Sequence, residues 1–223
     1  AAFGQGCKQS AATSSAVSAM TLSNGIRVVF VSFSASTNVS IFTFLPLGLA
    51  TDGSGQAQWS HLIEHLVIRS TVPADSAQAN AETLPDHMRL DFYGHTGNWQ
   101  EGVSHHRRWL EGVPFTEASL AREKPKVTAE CDFTARNLAT HKFAVAAWSQ
   151  GFRHGRTNIA LKGDVTRARL ADVQRLRDER LAVSNRVTVC VVGGLAPEQV
   201  FAEAEKQLGE VRLTGKPPLS SRE

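Results

Sequence analysis

The segment His61-Leu-Ile-Glu-His65 places two histidines and a carboxylate within five residues. On an α-helix, His61 and His65 are four residues apart and project from the same face, close enough to chelate one metal ion. Two imidazoles suit zinc, which in catalytic sites takes a third protein ligand and keeps one position open for water. Glu64 lies near the same face, where its carboxylate could take a proton from metal-bound water.

This pentapeptide is not a complete metal site, and the same pattern also occurs on solvated helix surfaces. A carboxylate further along the chain that could act as a third ligand would favour a metal site over a solvated surface. Glu123 and Glu130 are seven residues apart, nearly two helical turns, and so share one side of a continuous helix. Glu130 could be the third ligand, while Glu123 could hold a ligand histidine or tune the water. Acidic residues early in a helix also favour its macrodipole, which is the simpler alternative.

Hydrophobic spacing predicts the helices that would carry these residues. Apolar side chains recur every three or four residues over 59–67, so the histidines lie on a helix. Thr116 could cap a short helix, and Pro125 predicts a new or kinked helix from about Lys124, with Glu130 on its second turn. Thr166 could cap a further helix. A last helix begins at Ala196 with proline in its first turn.

Strands are predicted between these helices. The Asn24-Gly25 turn precedes a β-branched strand over 26–31, and a second apolar run from Val39 would pair with it as a hairpin. Residues 72–85 have the composition of a loop. Residues 90–103 mix aromatic residues with glycines and predict an irregular or edge strand. The run 186–195 is a continuous apolar strand ended by two glycines.

Strands and helices alternate without an internal linker, which predicts one α+β domain over residues 21–215. Residues 1–20 are small and Ala/Ser-rich and predict a flexible leader, and residues 216–223 predict a flexible tail. The leader could be the stretch that remains after cleavage of a signal peptide, which would place the protein in a periplasm or outside the cell. Otherwise a soluble protein without that export is expected.

Charge and composition exclude several functions. The net charge is only +3, with 24 Lys and Arg scattered among 21 Asp and Glu, so neither nucleic acid nor a membrane surface is an expected partner. One basic run over 104–109, which contains His105 and His106, predicts a solvated face. Three cysteines are too few for a disulfide framework or a thiolate metal site. No apolar run is long enough for a membrane helix.

Together with HLIEH and the two glutamates, four segments in the same order resemble the pitrilysin/insulinase family of inverted-motif zinc metallopeptidases, which includes the mitochondrial processing peptidases. These segments cover most of residues 20–212. They are LSNGIRVVFV, GSGQAQWSHLIEHLVIRST, LKGDVTRARLADVQ and NRVTVCVVGGLAPEQV.

The resemblance implies roles for individual residues. His61, His65 and Glu130 would hold zinc, Glu64 would be the general base, and Glu123 would be the supporting acid. The implied fold is a two-layer α+β domain, in which helices cover a mainly antiparallel sheet.

Asn98 matches the family's strand asparagine near the substrate. The segment from Asn98 to Glu123 is shorter than usual and the loop between His65 and Asn98 is longer, so part of the family fold is expected to be rearranged or missing. Pro125 could tilt Glu123 away from the metal.

The implied activity is zinc-dependent endopeptidase cleavage of peptides or small unfolded polypeptides. Family members join two or four related domains around a closed chamber, whereas this chain has only the first type of domain. A homologous partner subunit, or a second copy as a homodimer, is therefore expected to close the site. The alternative is a non-catalytic scaffold or partner subunit. Such subunits usually lose one of the chemical residues, and here all five positions are filled, which favours the enzyme.

Overall fold

The structure is a computed structural model that describes residues 16–71, 78–112, 114–136, 163–183 and 185–213. Within these ranges, six strands form one sheet: β1 (Ala16–Thr21), β2 (Arg27–Ser32), β3 (Asn38–Leu45), β4 (Ala79–Thr83), β5 (Met88–His95) and β6 (Thr188–Gly193). The helices are α1 (Trp59–Thr71), α2 (Trp99–Glu111), α3 (Glu117–Arg136), α4 (Gly163–Arg167), α5 (Leu170–Arg180) and α6 (Pro197–Leu208).

The strand order in the sheet is β1-β2-β6-β3-β5-β4. Strands β2 and β6 pair in parallel, and the other neighbours among these six strands are antiparallel. Helices α1, α2 and α6 contact the strands, and α3 packs on α1. This mixed α+β architecture confirms the predicted fold class, a mainly antiparallel sheet covered by helices.

Alternation along the strands decides which face of the sheet the helices cover. In β3, Ile41 and Thr43 are fully buried, whereas Phe42 between them is only half-buried. Gly102 lets α2 approach this face closely, because a Cβ atom there would lie 2.4 Å from the Phe92 ring. The core is therefore built from one face of the sheet and the apolar sides of the helices.

The predicted hairpin between the strand over 26–31 and the strand from Val39, which are β2 and β3 in the structure, is wrong. Strand β6 lies between β2 and β3, with Val189 opposite Val28 on one side and Thr43 on the other. A strand that is continuously apolar suits a central position, since neighbouring strands cover both of its edges and one of its faces is buried in the core. The predicted strand itself, with glycine at its end, is confirmed.

The predicted leader also ends too late. Residues 16–20 belong to β1, an edge strand whose backbone pairs with β2 from Ala16 to Thr21. Backbone pairing needs no apolar periodicity, which is why small residues such as Ala16 and Ser18 gave no signal. Residues 1–15 and the predicted tail lie outside the described part of the chain.

Two elements between α1 and residue 103, the strand β4 and the helix α2, were not predicted from the sequence. The predicted loop 72–85 contains β4, and the predicted irregular strand is the regular strand β5 followed directly by α2 from Trp99. Strand β5 is also internal, since it pairs with both β3 and β4. The alanine-rich sequence of β4 has low strand propensity, so its conformation depends on pairing with β5.

Helix α3 is one helix where two were predicted. It runs from Glu117 to Arg136 through Pro125, which removes one backbone donor without ending the helix. Thr116 does cap it, because the Ser119 backbone N–H donates to Thr116 Oγ1 at 3.0 Å. The part of this helix predicted beyond residue 136 lies outside the described residues.

The cap predicted at Thr166 is wrong. Thr166 lies inside α4, and the residue that precedes α5 is Arg169, in extended conformation. The last helix is as predicted, with Pro197 at its start.

The predicted solvated face over 104–109 is wrong for His106. This side chain is fully buried on α2, and its Nδ1 lies 2.7 Å from Thr43 Oγ1. Within the described residues, its Nε2 is buried without a hydrogen-bond partner. Burial, with a smaller contribution from His105, lowers the pKa of His106 to about 3.

We expect His106 to make the fold sensitive to acid. Its folded pKa is below the ordinary value of 6.5, so the stability it contributes is complete above pH 6.5 and is lost as the pH falls toward 3. The loss approaches about 1.4 kcal/mol per pH unit. In His106→Asn, an amide can still reach Thr43 but does not titrate. Urea unfolding at pH 7.5, 6.5, 5.5 and 4.5 should give a shallower pH dependence for this variant, and parallel curves would contradict the prediction.

Candidate metal centre

The start of α1 is fixed by a buried carboxylate. Asp52 accepts hydrogen bonds from the Ser60 backbone N–H at 3.0 Å and from Ser60 Oγ at 3.1 Å. Burial raises the pKa of Asp52 to about 7, against these hydrogen bonds, which lower it. Leu62, Ile63 and Leu66 are buried in the core. These contacts set which side of α1 faces the core and which presents the two histidines.

Both histidines are oriented through their Nδ1 atoms. His61 Nδ1 lies 3.0 Å from Gln58 Oε1, and His65 Nδ1 lies 3.4 Å from Glu123 Oε2. Because these oxygens accept, each Nδ1 donates a hydrogen, and Nε2 would be the atom offered to a metal. This is the tautomer that a metal-binding histidine needs. The helix predicted for HLIEH is confirmed, and its two rings have centroids 5.0 Å apart.

Glu130 faces the Nε2 atoms of both histidines. Its Oε2 lies 3.2 Å from His61 Nε2 and 3.3 Å from His65 Nε2. The contacts with His61 and His65 hold the pKa of Glu130 well below its ordinary value. Burial alone would lower the pKa of His65, but Glu130 and the nearby Glu64 raise it overall. The structure thus brings two histidines and a far carboxylate to one point, as the sequence predicts.

Glu123 lies behind His65 and is fully buried. Besides His65, its carboxylate accepts from Arg122 Nε at 2.8 Å and Lys126 Nζ at 3.1 Å. Burial raises the pKa of Glu123, but these three partners together lower it below its ordinary value. Pro125 does not tilt Glu123 away. The carboxylate of Glu123 contacts the Nδ1 side of the His65 ring, whereas Glu130 contacts the Nε2 side.

Glu64 lies on the groove side of α1 and is held by the neighbouring strand. Thr83 Oγ1, on β4, donates to Glu64 Oε2 at 2.6 Å. An open groove of about 360 Å³ lies between α1, β4 and α3, and its lining includes His61, Glu64, Thr83 and Glu130. Glu64 is therefore beside the two Nε2 atoms, on a surface that a peptide can reach.

The donor set fits a tetrahedral metal ion. Metal-binding atoms of His61, Glu64 and His65 lie within 4.8 Å of one another. Two ligands of tetrahedral zinc, each at about 2.0–2.1 Å from the ion, are about 3.3 Å apart. The two contacts of Glu130, at 3.2 and 3.3 Å, match that separation.

Asn98 is not part of this group. It precedes α2, and its Oδ1 accepts a hydrogen bond from the His95 backbone N–H at 3.0 Å, closing the turn after β5. It is absent from the described residues that line the groove. The role predicted for it near a substrate is therefore not supported by its position, because the strand that lines the groove is β4.

Sequence reasoning also missed two residues of the site. Gln58 orients His61, and its φ of 69° places it in the left-handed region, where a non-glycine residue is uncommon. Thr83 lies on a strand that the sequence did not predict. Gln58 lies just before the start of α1, so the spacing of residues on a helical face could not have indicated this contact.

Comparison with known proteins shows the fold. No known family profile and no curated protein matches this chain. A protease from Helicobacter pylori has a TM-score of 0.78 and 18% identity, covering 93% of this chain and 53% of that one. The first half of the periplasmic protease PqqL from Escherichia coli has a TM-score of 0.77 and 16% identity, covering 91% and 48%. The ferredoxin protease FusC, in complex with Arabidopsis ferredoxin, has a TM-score of 0.79 and 12% identity, covering 92% and 25%.

All three similar structures are proteases, and at these identities the likeness establishes the α+β architecture. This chain spans about half the length of the first two. Among the described residues, every helix is too short or too polar to cross a membrane.

Proposed function

We propose that this chain is a zinc-dependent endopeptidase of the pitrilysin/insulinase type. The observation that carries the proposal is the meeting of His61 Nε2, His65 Nε2 and Glu130 Oε2 at separations of 3.2 and 3.3 Å, with Glu64 alongside. Glu130 lies on a different helix from the two histidines, 65 residues beyond His65. A polar patch on one helix, the alternative left open by the sequence, does not explain why a distant carboxylate lies between the two rings.

In this proposal His61, His65 and Glu130 would hold zinc. When bound, zinc supplies a Lewis acid for the scissile carbonyl and lowers the pKa of its water. Glu64 would take a proton from the attacking water and pass it to the leaving amine. Glu123 keeps the His65 ring oriented, and Gln58 does the same for His61.

The substrate proposed is an extended peptide or unfolded segment. Strand β4 is at the edge of the sheet and lines the groove beside Glu64. An edge strand offers unpaired backbone groups to which a peptide can add as another strand. Because this pairing contacts the substrate backbone, it would accept many sequences. The proteases of similar fold support the proposed class of activity, peptide-bond cleavage, and not a particular substrate.

A second domain or subunit is proposed to cover the groove. The Glu130 side chain is 53% exposed, so this side of the proposed metal site faces open solvent. Excluding water strengthens the electrostatic interactions on which hydrolysis depends. The similar H. pylori protease is about twice the length covered here, which supports a second unit of comparable size. A homologous subunit and a second copy of this chain are the two forms of this proposal.

The alternative is a non-catalytic scaffold subunit, and location is a separate proposal. Glu64 contributes nothing to metal binding if the site is purely structural, yet it is held by Thr83 at the groove. This arrangement favours the enzyme. Export to a periplasm is supported by the periplasmic location that is given for the similar protease PqqL.

Metal removal tests the proposal. The purified chain should bind one zinc ion, cleave a panel of quenched fluorescent peptides, lose cleavage with a strong chelator and regain it with zinc. Magnesium should not restore activity, because imidazole ligands favour zinc over hard cations. A chain that binds zinc but cleaves no peptide, either alone or with added cell extract from its source, would support the scaffold alternative.

A further inference from the structure

Strand β4 directs alternate backbone groups toward its free edge. The Tyr93 N–H donates to Gln78 O at 2.7 Å, and the Leu84 N–H donates to His87 O at 2.8 Å. In an antiparallel pair, hydrogen-bonded positions alternate with positions that point away from the partner strand. Counting along β4 from these two ends, residue 83 lies at a position whose N–H and C=O point away from β5. A peptide added at this edge would pair with the backbone of Thr83.

The side chain of the same residue contacts the proposed general base. Thr83 Oγ1 lies 2.6 Å from Glu64 Oε2, and Glu64 is buried. A carboxylate that accepts a hydrogen bond through one oxygen has its orientation fixed, and its other oxygen is left for a second contact. Within the described part of the chain, this hydrogen bond joins β4 to the side chain of Glu64.

We infer that Thr83 is a positioning residue, which holds Glu64 in its working orientation through its hydroxyl while its backbone pairs with the substrate. This inference rests on the proposed function. It adds that β4 contributes to proton transfer as well as to substrate binding. Thr83 would both pair with the substrate backbone and orient the general base. If Thr83 only packed against α1, valine, which has the same shape, would replace it without loss.

The experiment compares Thr83→Val, which removes the hydroxyl but keeps the shape, with Thr83→Ser, which keeps the hydroxyl. Thr83→Val should lower kcat about 10- to 100-fold, the loss expected for one hydrogen bond to a charged group. KM and zinc affinity should change little, and Thr83→Ser should recover most of kcat. Thr128→Val is the matched control, because the Thr128 hydroxyl bonds to the Lys124 backbone within α3.

A second measurement needs neither metal nor activity. With ¹³C-labelled glutamate in the metal-free chain, the Glu64 carboxyl resonance, assigned by its loss in Glu64→Gln, should shift in Thr83→Val and return in Thr83→Ser. An unchanged resonance, or a Thr83→Val variant with wild-type kcat, would overturn the inference. A wild-type chain that binds zinc but cleaves nothing would overturn the proposed function and the catalytic part of this inference. The resonance would then separately decide whether the hydrogen bond exists.

Discussion

Glu64→Gln should lower kcat/KM for peptide cleavage by about 10³-fold, within the range that a positioned general base contributes. Glutamine has the same shape and can still receive the Thr83 hydrogen bond through its carbonyl oxygen. It cannot accept a proton from the attacking water. The fold and the proposed ligands are unaffected, so we expect zinc content and melting temperature to match the wild type. Cleavage would be followed with a quenched fluorescent peptide.

The matched control is Glu82→Gln, in the same groove. Glu82 is a half-exposed carboxylate on β4, and its partner is Arg89, at 3.3 Å. An exposed ion pair of this kind contributes at most about 1 kcal/mol, so activity should stay within about fivefold of the wild type. Equal losses of activity in Glu64→Gln and Glu82→Gln would show that cleavage depends on the negative charge of the groove and not on Glu64 in particular. Full activity in Glu64→Gln would remove the base assignment.

The metal site could be predicted because helical geometry fixes it locally. Residues four apart share a face wherever a helix forms, so His61 and His65 had to lie together. Glu123 and Glu130 had the same relation on α3. That the two helices meet is a tertiary fact, and only the resemblance to the pitrilysin/insulinase family indicated it in advance. Pro125 was misleading, because packing on both sides of it outweighs the loss of one helical hydrogen bond.

The strands were less predictable for a physical reason. Strand β4 consists of alanine, asparagine, glutamate and threonine, and its conformation comes from pairing with β5 and not from its own propensity. Asn98, which the family resemblance placed near a substrate, closes a turn instead. The order of β2, β6 and β3 was equally hidden, since a strand distant in sequence inserts between two neighbours.

A graded loss of zinc affinity is expected along α3. Glu130→Gln removes a proposed ligand, whereas Glu123→Gln removes only the partner that orients the His65 ring. Loss of such an orienting partner typically costs about 10- to 100-fold in metal affinity, so Glu123→Gln should fall in that range and Glu130→Gln should exceed it. Competition with a zinc-binding dye at constant pH would give the three affinities, with Glu101→Gln, an exposed position on α2, as the control.

The order of these losses distinguishes the two glutamates. Glu123 is also paired with Arg122 and Lys126 and is fully buried, so its substitution should lower the melting temperature even without metal. Glu130 is half-exposed, and its removal should leave the metal-free protein nearly as stable as before. A larger loss of zinc affinity in Glu123→Gln than in Glu130→Gln would reverse the assignment, making the buried carboxylate the ligand. Equal affinity in all variants would mean that zinc binds elsewhere, because the two rings and the carboxylate between them would then have no part in holding it.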